Sequence, residues 1–124
     1  MRRHGILNSE LARLINRLGH TDTWAVADCG LPIPAGVPVV DLAVVFGVPR
    51  FAEVVDAVLA EVVVESGTIA DSTPAVVREM LIDVPLVETS HDELKDLLSG
   101  CSFVIRTGET TPYANVIFRS GVPF

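Results

Sequence analysis

Apolar residues recur along this chain at two periods, and the two alternate. Leu11, Leu14, Ile15 and Leu18 fall at three- and four-residue spacing behind Asn8 and Ser9, both good helix caps, which predicts a first helix. Gly19 is a stop signal, leaving His20 just beyond that helix. Trp24-Ala25-Val26-Ala27 is a short continuous apolar run, the signature of a fully buried strand, and it ends at Asp28 and Cys29. A glycine and two prolines in residues 30–34 force a turn. Residues 39–44 predict the next strand, and Pro49 opens a second helix through Phe51, Val54, Val55, Val58 and Leu59. The β-branched run at 61–64 is the next strand candidate, followed by a helix from 74 to about 82 and a short strand at 85–88. Ser90 starts a fourth helix, with Glu93 at capping-box spacing. Residues 103–106 and 116–118 complete the set as a hairpin-like pair around a polar loop at 107–113.

Strands alternating with helices imply a three-layer α/β/α sandwich on a mixed, mostly parallel sheet. The 124 residues suit one domain, 1–124, with no linker-like stretch. A composition of 49% hydrophobic and 20% charged residues is globular, and with only seven aromatics the core has to be built from aliphatic side chains. The formal charge of -7 repels phosphate backbones and anionic lipid, so neither nucleic acid nor a membrane surface is an expected partner. The apolar runs stop well short of the ~18 residues a membrane helix needs. No apolar segment of secretory type follows the N-terminal arginines, so the expected location is cytoplasmic. Cys29 and Cys101 are too few and too far apart for a zinc knuckle or a redox pair, and read as two reduced core thiols.

Three places offer chemistry. His20-Thr21-Asp22-Thr23 precedes the first strand and Asp28 follows it; ligands of open α/β sheets collect beyond the carboxyl ends of strands, where Asp28 stands. His20 could equally complement a helix dipole, and Asp28 taken alone reads as a turn residue before it reads as a ligand. His91 and Lys95 share a helical face, a pattern that an ordinary exposed first turn also produces. Tyr113 and Asn115, two apart in an extended segment, would point to one side and offer a phenol and an amide to a cluster of hydroxyls; a plain polar loop is the other reading. Residues 106–109 lack the glycines of a dinucleotide fingerprint and the lysine of a phosphate-binding loop. The spacing of His20, Asp22, Asp28 and His91 does not call for a metal.

Four blocks carry a resemblance that runs nearly end to end: residues 5–10, RLGHTDT at 17–23, DCGLPIP at 28–34 and IRTGETTPYANVI at 105–117. Through them the chain resembles the D-ribose pyranase family, with the fucose mutarotases as more distant relatives. The resemblance implies that His20 is a proton donor and that Asp28, His91, Tyr113, Ala114 and Asn115 bind the sugar. It also implies a homo-oligomer, two stacked pentameric rings forming a decamer, with each site completed by a neighbouring subunit. No cofactor or metal is implied.

The chemistry is consistent with those residues. An aldopyranose is a hemiacetal; it opens when its anomeric hydroxyl loses a proton and its ring oxygen gains one, and it recloses as a furanose through another hydroxyl. Both are proton transfers suited to an imidazole at neutral pH. Asp22 or a nearby carbonyl is the expected group fixing the His20 tautomer. Two other functions use nearly the same residues: a mutarotase for another aldose such as fucose, and a sugar-binding protein without catalysis, for which His20 is dispensable.

Overall fold

Asn8 caps the first helix as expected, its Oδ1 accepting the Leu11 N–H at 2.9 Å. That helix, α1 (Ser9–Ile15), ends sooner than Gly19 suggests: Asn16 closes it, and the N–H groups of Arg17 and Leu18 bond back to Leu14 and Ile15 in a tight turn. His20 therefore stands clear of the helix end, beyond the reach of a dipole that acts within the last turn. The computed structural model covers residues 1–124. In chain order, β1 (Thr23–Ala27), β2 (Val39–Asp41), α2 (Phe51–Leu59), β3 (Val64–Ala70), α3 (Ala75–Met80), β4 (Leu86–Thr89), α4 (His91–Leu97), β5 (Val104–Arg106) and β6 (Val116–Ser120) follow. None of the helices is long and apolar enough to cross a membrane.

The strands form one sheet in the order β2-β5-β1-β6-β3-β4. Five run the same way, and β6 runs against its neighbours β1 and β3. The mixed, mostly parallel sheet is thus present, but the C-terminal hairpin is not: β1 lies between β5 and β6. Instead of turning tightly, the loop after β5 crosses the end of β1, where the Thr107 N–H bonds to the Ala27 carbonyl and the Cys29 N–H to the Glu109 carbonyl. The third strand also starts later than its β-branched run. Glu61 and Val62 finish the turn of α2 by bonding to the Val58 carbonyl, which leaves Val64 as the first residue free to pair with β6. Gly67 is tolerated inside β3 because Val116, Leu86 and Val84 close over it; a Cβ there would meet Val116 Cγ2 at 2.9 Å.

Alternation along β1 sorts the two faces. Trp24 and Val26 join the larger core with residues of α1, α2 and α3, whereas Ala25 and Ala27 face Leu94 and Leu98 of α4 and its following turn. Both faces are covered, so the strand reads as continuously apolar. Trp24 anchors the larger core, its ring centroid 4.6 Å from that of Phe118 and 5.8 Å from that of Phe103, with its Nε1–H donated to Ser120 Oγ at 3.2 Å. The cysteines divide. Cys101 is buried, and burial pushes its thiol pKa up, whereas Cys29 is only half-buried and is not a core thiol.

Loops at the carboxyl edge of the parallel strands are laced together by polar groups. Arg106 donates from Nε and Nη2 to the Cys29 carbonyl and from Nη1 to the Asp41 carboxylate at 2.9 Å, joining the ends of β5, β1 and β2. Gly108 passes so close to residues 45–48 that a Cβ would lie 2.4 Å from the Val48 carbonyl oxygen. Glu109 is 2% exposed, yet its carboxylate is saturated. Oε2 accepts the Phe51 N–H at 3.1 Å, at the start of α2, and Oε1 accepts the Thr110 and Thr111 N–H groups and the Thr111 hydroxyl. Burial alone would raise its pKa; these donors outweigh burial and hold it below the ordinary 4.5.

A carboxylate held low when folded contributes stability above its unfolded pKa and loses it as pH falls through the folded value. Glu109→Gln leaves at least one buried N–H facing an amide NH2. Denaturant unfolding at neutral pH should show a loss of about 1–3 kcal/mol. It should also show a shallower fall in stability between pH 5 and pH 3 than the wild type. An unchanged acid profile would mean that Glu109 does not carry that dependence.

Candidate active site

The direction of β6 decides which side chains can meet. The ends of β1, β4 and β5 lie at one edge of the sheet, and so does the start of the antiparallel β6. Asp28, His91, the 107–113 loop and Asn115 therefore gather there. A cleft of about 390 Å³ opens among them, lined by residues 28–32, by His91 and Lys95 of α4, and by Glu109, Thr110, Pro112 and Tyr113. Its position beyond strand carboxyl ends is the expected one.

Asp28 is held from three sides. Its N–H donates to Asn115 Oδ1 at 2.8 Å, Asn115 Nδ2 donates to its Oδ2 at 3.1 Å, and its Oδ1 accepts the Gly30 N–H at 2.9 Å. The last bond is an Asx turn, so the turn reading and the binding reading of Asp28 describe the same residue. Each carboxylate oxygen keeps lone-pair capacity for a further donor.

The expectation that Tyr113 and Asn115 share one side of an extended segment does not hold. Tyr113 sits at φ +62 in a turn, which sends its ring over the cleft while Ala114 and Asn115 dive into the interior at 0% and 2% exposure. Neither Ala114 nor Asn115 lines the cleft; the Asn115 amide supports Asp28 from beneath. The Tyr113 ring meets His91 edge to face, with centroids 5.0 Å apart at 88°. His91 and Lys95 both line the cleft, as their helical spacing implies, and His91 Nδ1 is buried without a hydrogen-bond partner.

His20 is elsewhere. It precedes β1 whereas Asp28 follows it, and the strand between them spans roughly 20 Å from Asp22 to Asp28 at a ~3.3 Å rise per residue. Within one chain the structure therefore brings Asp28, His91 and Tyr113 together and leaves His20 at the opposite, amino edge. There Nε2 lies 2.5 Å from Glu65 Oε1, and Glu65 Oε2 accepts from Arg119 Nε at 3.2 Å. Chiefly through the His20 hydrogen bond, the Glu65 carboxyl is held below its ordinary pKa. Asp22, the expected orienting group, is engaged otherwise: its Oδ2 accepts the Gly19 N–H at 2.8 Å.

Sequence reasoning does not single out Glu65, Glu109 or Arg106 as site residues. Glu109 carried one usable signal, a lone carboxylate in a Gly-Glu-Thr-Thr turn at the end of a buried strand. Glu65 carried none, since its partners are 45 and 54 residues away in sequence. No three of the His, Cys, Asp and Glu side chains converge as metal ligands would.

Comparison with known proteins bears on this arrangement. D-ribose pyranase of Corynebacterium glutamicum (strain R) is 59% identical over 124 residues, covering all of both chains. D-ribose pyranase of Cutibacterium acnes is 56% identical, again over the full length of both. The structure of Bacillus subtilis RbsD complexed with D-ribose superposes with a TM-score of 0.94 at 40% identity over the whole of both chains. A fucose mutarotase from Streptococcus pneumoniae, in complex with L-fucose, shares the fold, with a TM-score of 0.82 at 18% identity over 99% of this chain and 100% of its own. The model of the RbsD / FucU transport protein family matches residues 1–123, and the chain belongs to that family.

Proposed function

We propose that this chain is a D-ribose pyranase, an isomerase that interconverts the pyranose and furanose forms of D-ribose. The observation that carries the reading is full-length identity of 56–59% to D-ribose pyranases, in a chain whose cleft is walled by the residues a sugar would need. In this reading Asp28 accepts hydrogen bonds from sugar hydroxyls, His91 forms part of the wall of the cleft, and Tyr113 packs beside the ring. Ala114 and Asn115 act through the backbone turn and through Asp28. His20 protonates the ring oxygen as the C1–O5 bond breaks, while the anomeric hydroxyl releases its proton to a base. The open aldehyde then recloses when the 4-hydroxyl attacks C1, its proton passing to a base while the C1 carbonyl oxygen takes one up to become the new anomeric hydroxyl. No redox step or cofactor enters.

Because His20 stands across the sheet from the cleft, it would reach sugar held by a neighbouring copy. That supports a homo-oligomer whose sites are shared between chains, with a decamer of two pentameric rings as the assembly. A second feature points the same way. Val44, Val45, Phe46 and Val48 form an exposed apolar loop, Phe46 at 84%, close to Cys29 and Arg106 beside the cleft. The cytoplasm is the compartment that accords with this role.

Three experiments test the reading. Saturation-transfer NMR of D-ribose should show exchange between ring forms accelerated by the wild type, and by far less for L-fucose. His20→Ala should lose about 10²–10⁴-fold of that acceleration if binding persists; wild-type rates would remove His20 from the mechanism. Asp28→Ala should weaken sugar binding first. Mixing the His20→Ala and Asp28→Ala chains under conditions that exchange subunits should restore activity that neither has alone. Failure of stably mixed oligomers to recover would place all the chemistry within single chains.

A further inference from the structure

We propose that Glu65 is the positioning residue for His20: its carboxylate takes the Nε2–H of the imidazole and thereby leaves Nδ1 as the nitrogen that exchanges protons with the sugar. This rests on His20 being the ring-opening acid.

Two independent features of the fold carry it. The first is contact geometry. The backbone around His20 is pinned, with the Asp22 N–H on the Gly19 carbonyl and the Thr21 N–H on the Ser120 carbonyl, both in the 3.0–3.2 Å range. The ring itself is half exposed and has Glu65 as its one side-chain partner, at 2.5 Å. A carboxylate can only accept, so the neutral imidazole must carry its proton on Nε2. The second is a break in the sheet. Val64 pairs with Ser120 and Ser66 with Arg119, so β3 takes two steps where β6 takes one, and Glu65 is the extra residue. Such a bulge re-aims a side chain that strict alternation would fix otherwise, and bulges occur beside active sites for that reason.

The carboxylate is itself oriented. Arg119 Nε holds Oε2, leaving Oε1 for the imidazole. The charged groups facing His20 are thus Glu65 from β3, Arg119 from β6 through Glu65, and Asp22 from its own turn, the last engaged by the Gly19 N–H. With Nε2 committed, the neutral ring presents a lone pair on Nδ1 to receive a proton, and the protonated ring donates that proton from the same atom. One nitrogen then serves both directions of a reversible ring opening, and no imidazole flip is needed between turnovers.

The test uses the assembled protein with 15N-labelled histidine, at a pH where the imidazole is neutral, alongside the ribose exchange assay. Wild type should show His20 protonated at Nε2 and bare at Nδ1. Glu65→Ala should lose that preference and reduce kcat by about tenfold, with KM little changed. Glu65→Gln, whose amide oxygen still accepts, should keep the Nε2–H form and recover part of kcat; it also serves if the alanine variant does not fold. A wild-type His20 protonated at Nδ1 would overturn the inference. So would Glu65→Ala or Glu65→Gln turning over as wild type while the Nε2–H form is lost. If His20→Ala itself retains full activity, the ring-opening role of His20 falls instead, and the nitrogen signature still decides whether Glu65 fixes the ring.

Discussion

Strand β6 runs against the other five strands of its sheet, and both halves of the candidate chemistry hang on that one reversal. Its first residues emerge where the parallel strands end, so Asn115, just before it, reaches under Asp28. Its last residues finish where the parallel strands begin, so Arg119 reaches Glu65 and the Ser120 carbonyl receives the Thr21 N–H of the histidine turn. Between these ends, Phe118 is clamped against Trp24 and Val116 closes over Gly67. A strand so fixed in register cannot slide by one residue without exchanging the side chains it sends into the two cores. The two edges of the sheet are therefore mechanically tied at a set separation.

Those edges differ in character. At the carboxyl edge, polar groups are multiply bonded: the buried Glu109 accepts from four donors, and the partly exposed Arg106 bridges three strand ends. Polar networks are stiff when every member is satisfied, which suits the role proposed for this surface, holding hydroxyls in a fixed pattern. The amino edge carries a short chain of exposed groups, from Arg119 to Glu65 to His20, all near half exposure. On the proposed reading the rigid edge binds and the exposed edge of a neighbouring copy delivers the proton.

Much of this was legible because it is local. The Asn8 and Ser90 caps, the apolar run of β1 and the shared face of His91 and Lys95 each rest on residues within four positions of one another. What failed was long-range or ambiguous. Only the first half of the β-branched run at 61–64 departs from strand: Glu61 and Val62 close the turn of α2, because the turn that ends a helix outranks intrinsic strand preference. Strands β5 and β6, adjacent in sequence, suggest a hairpin, but β1 lies between them. Tyr113 and Asn115 were assigned to one side because alternation was assumed where the backbone turns left-handed. Glu65 could not have been found from sequence at all, since a bulge is a property of two strands together. The end-to-end resemblance supplied what periodicity could not, namely which residues to watch.

Outside glycine, only Thr21 and Tyr113 adopt positive φ, at +72 and +62. One adjoins the histidine and the other roofs the cleft. Side chains held there store on the order of 1–3 kcal/mol each. Glycine would relax both positions at once. A laboratory evolution campaign that rewarded melting temperature alone would thus be drawn toward the two places on which the proposed turnover rests, and thermostable descendants of this chain should be screened for activity at every round.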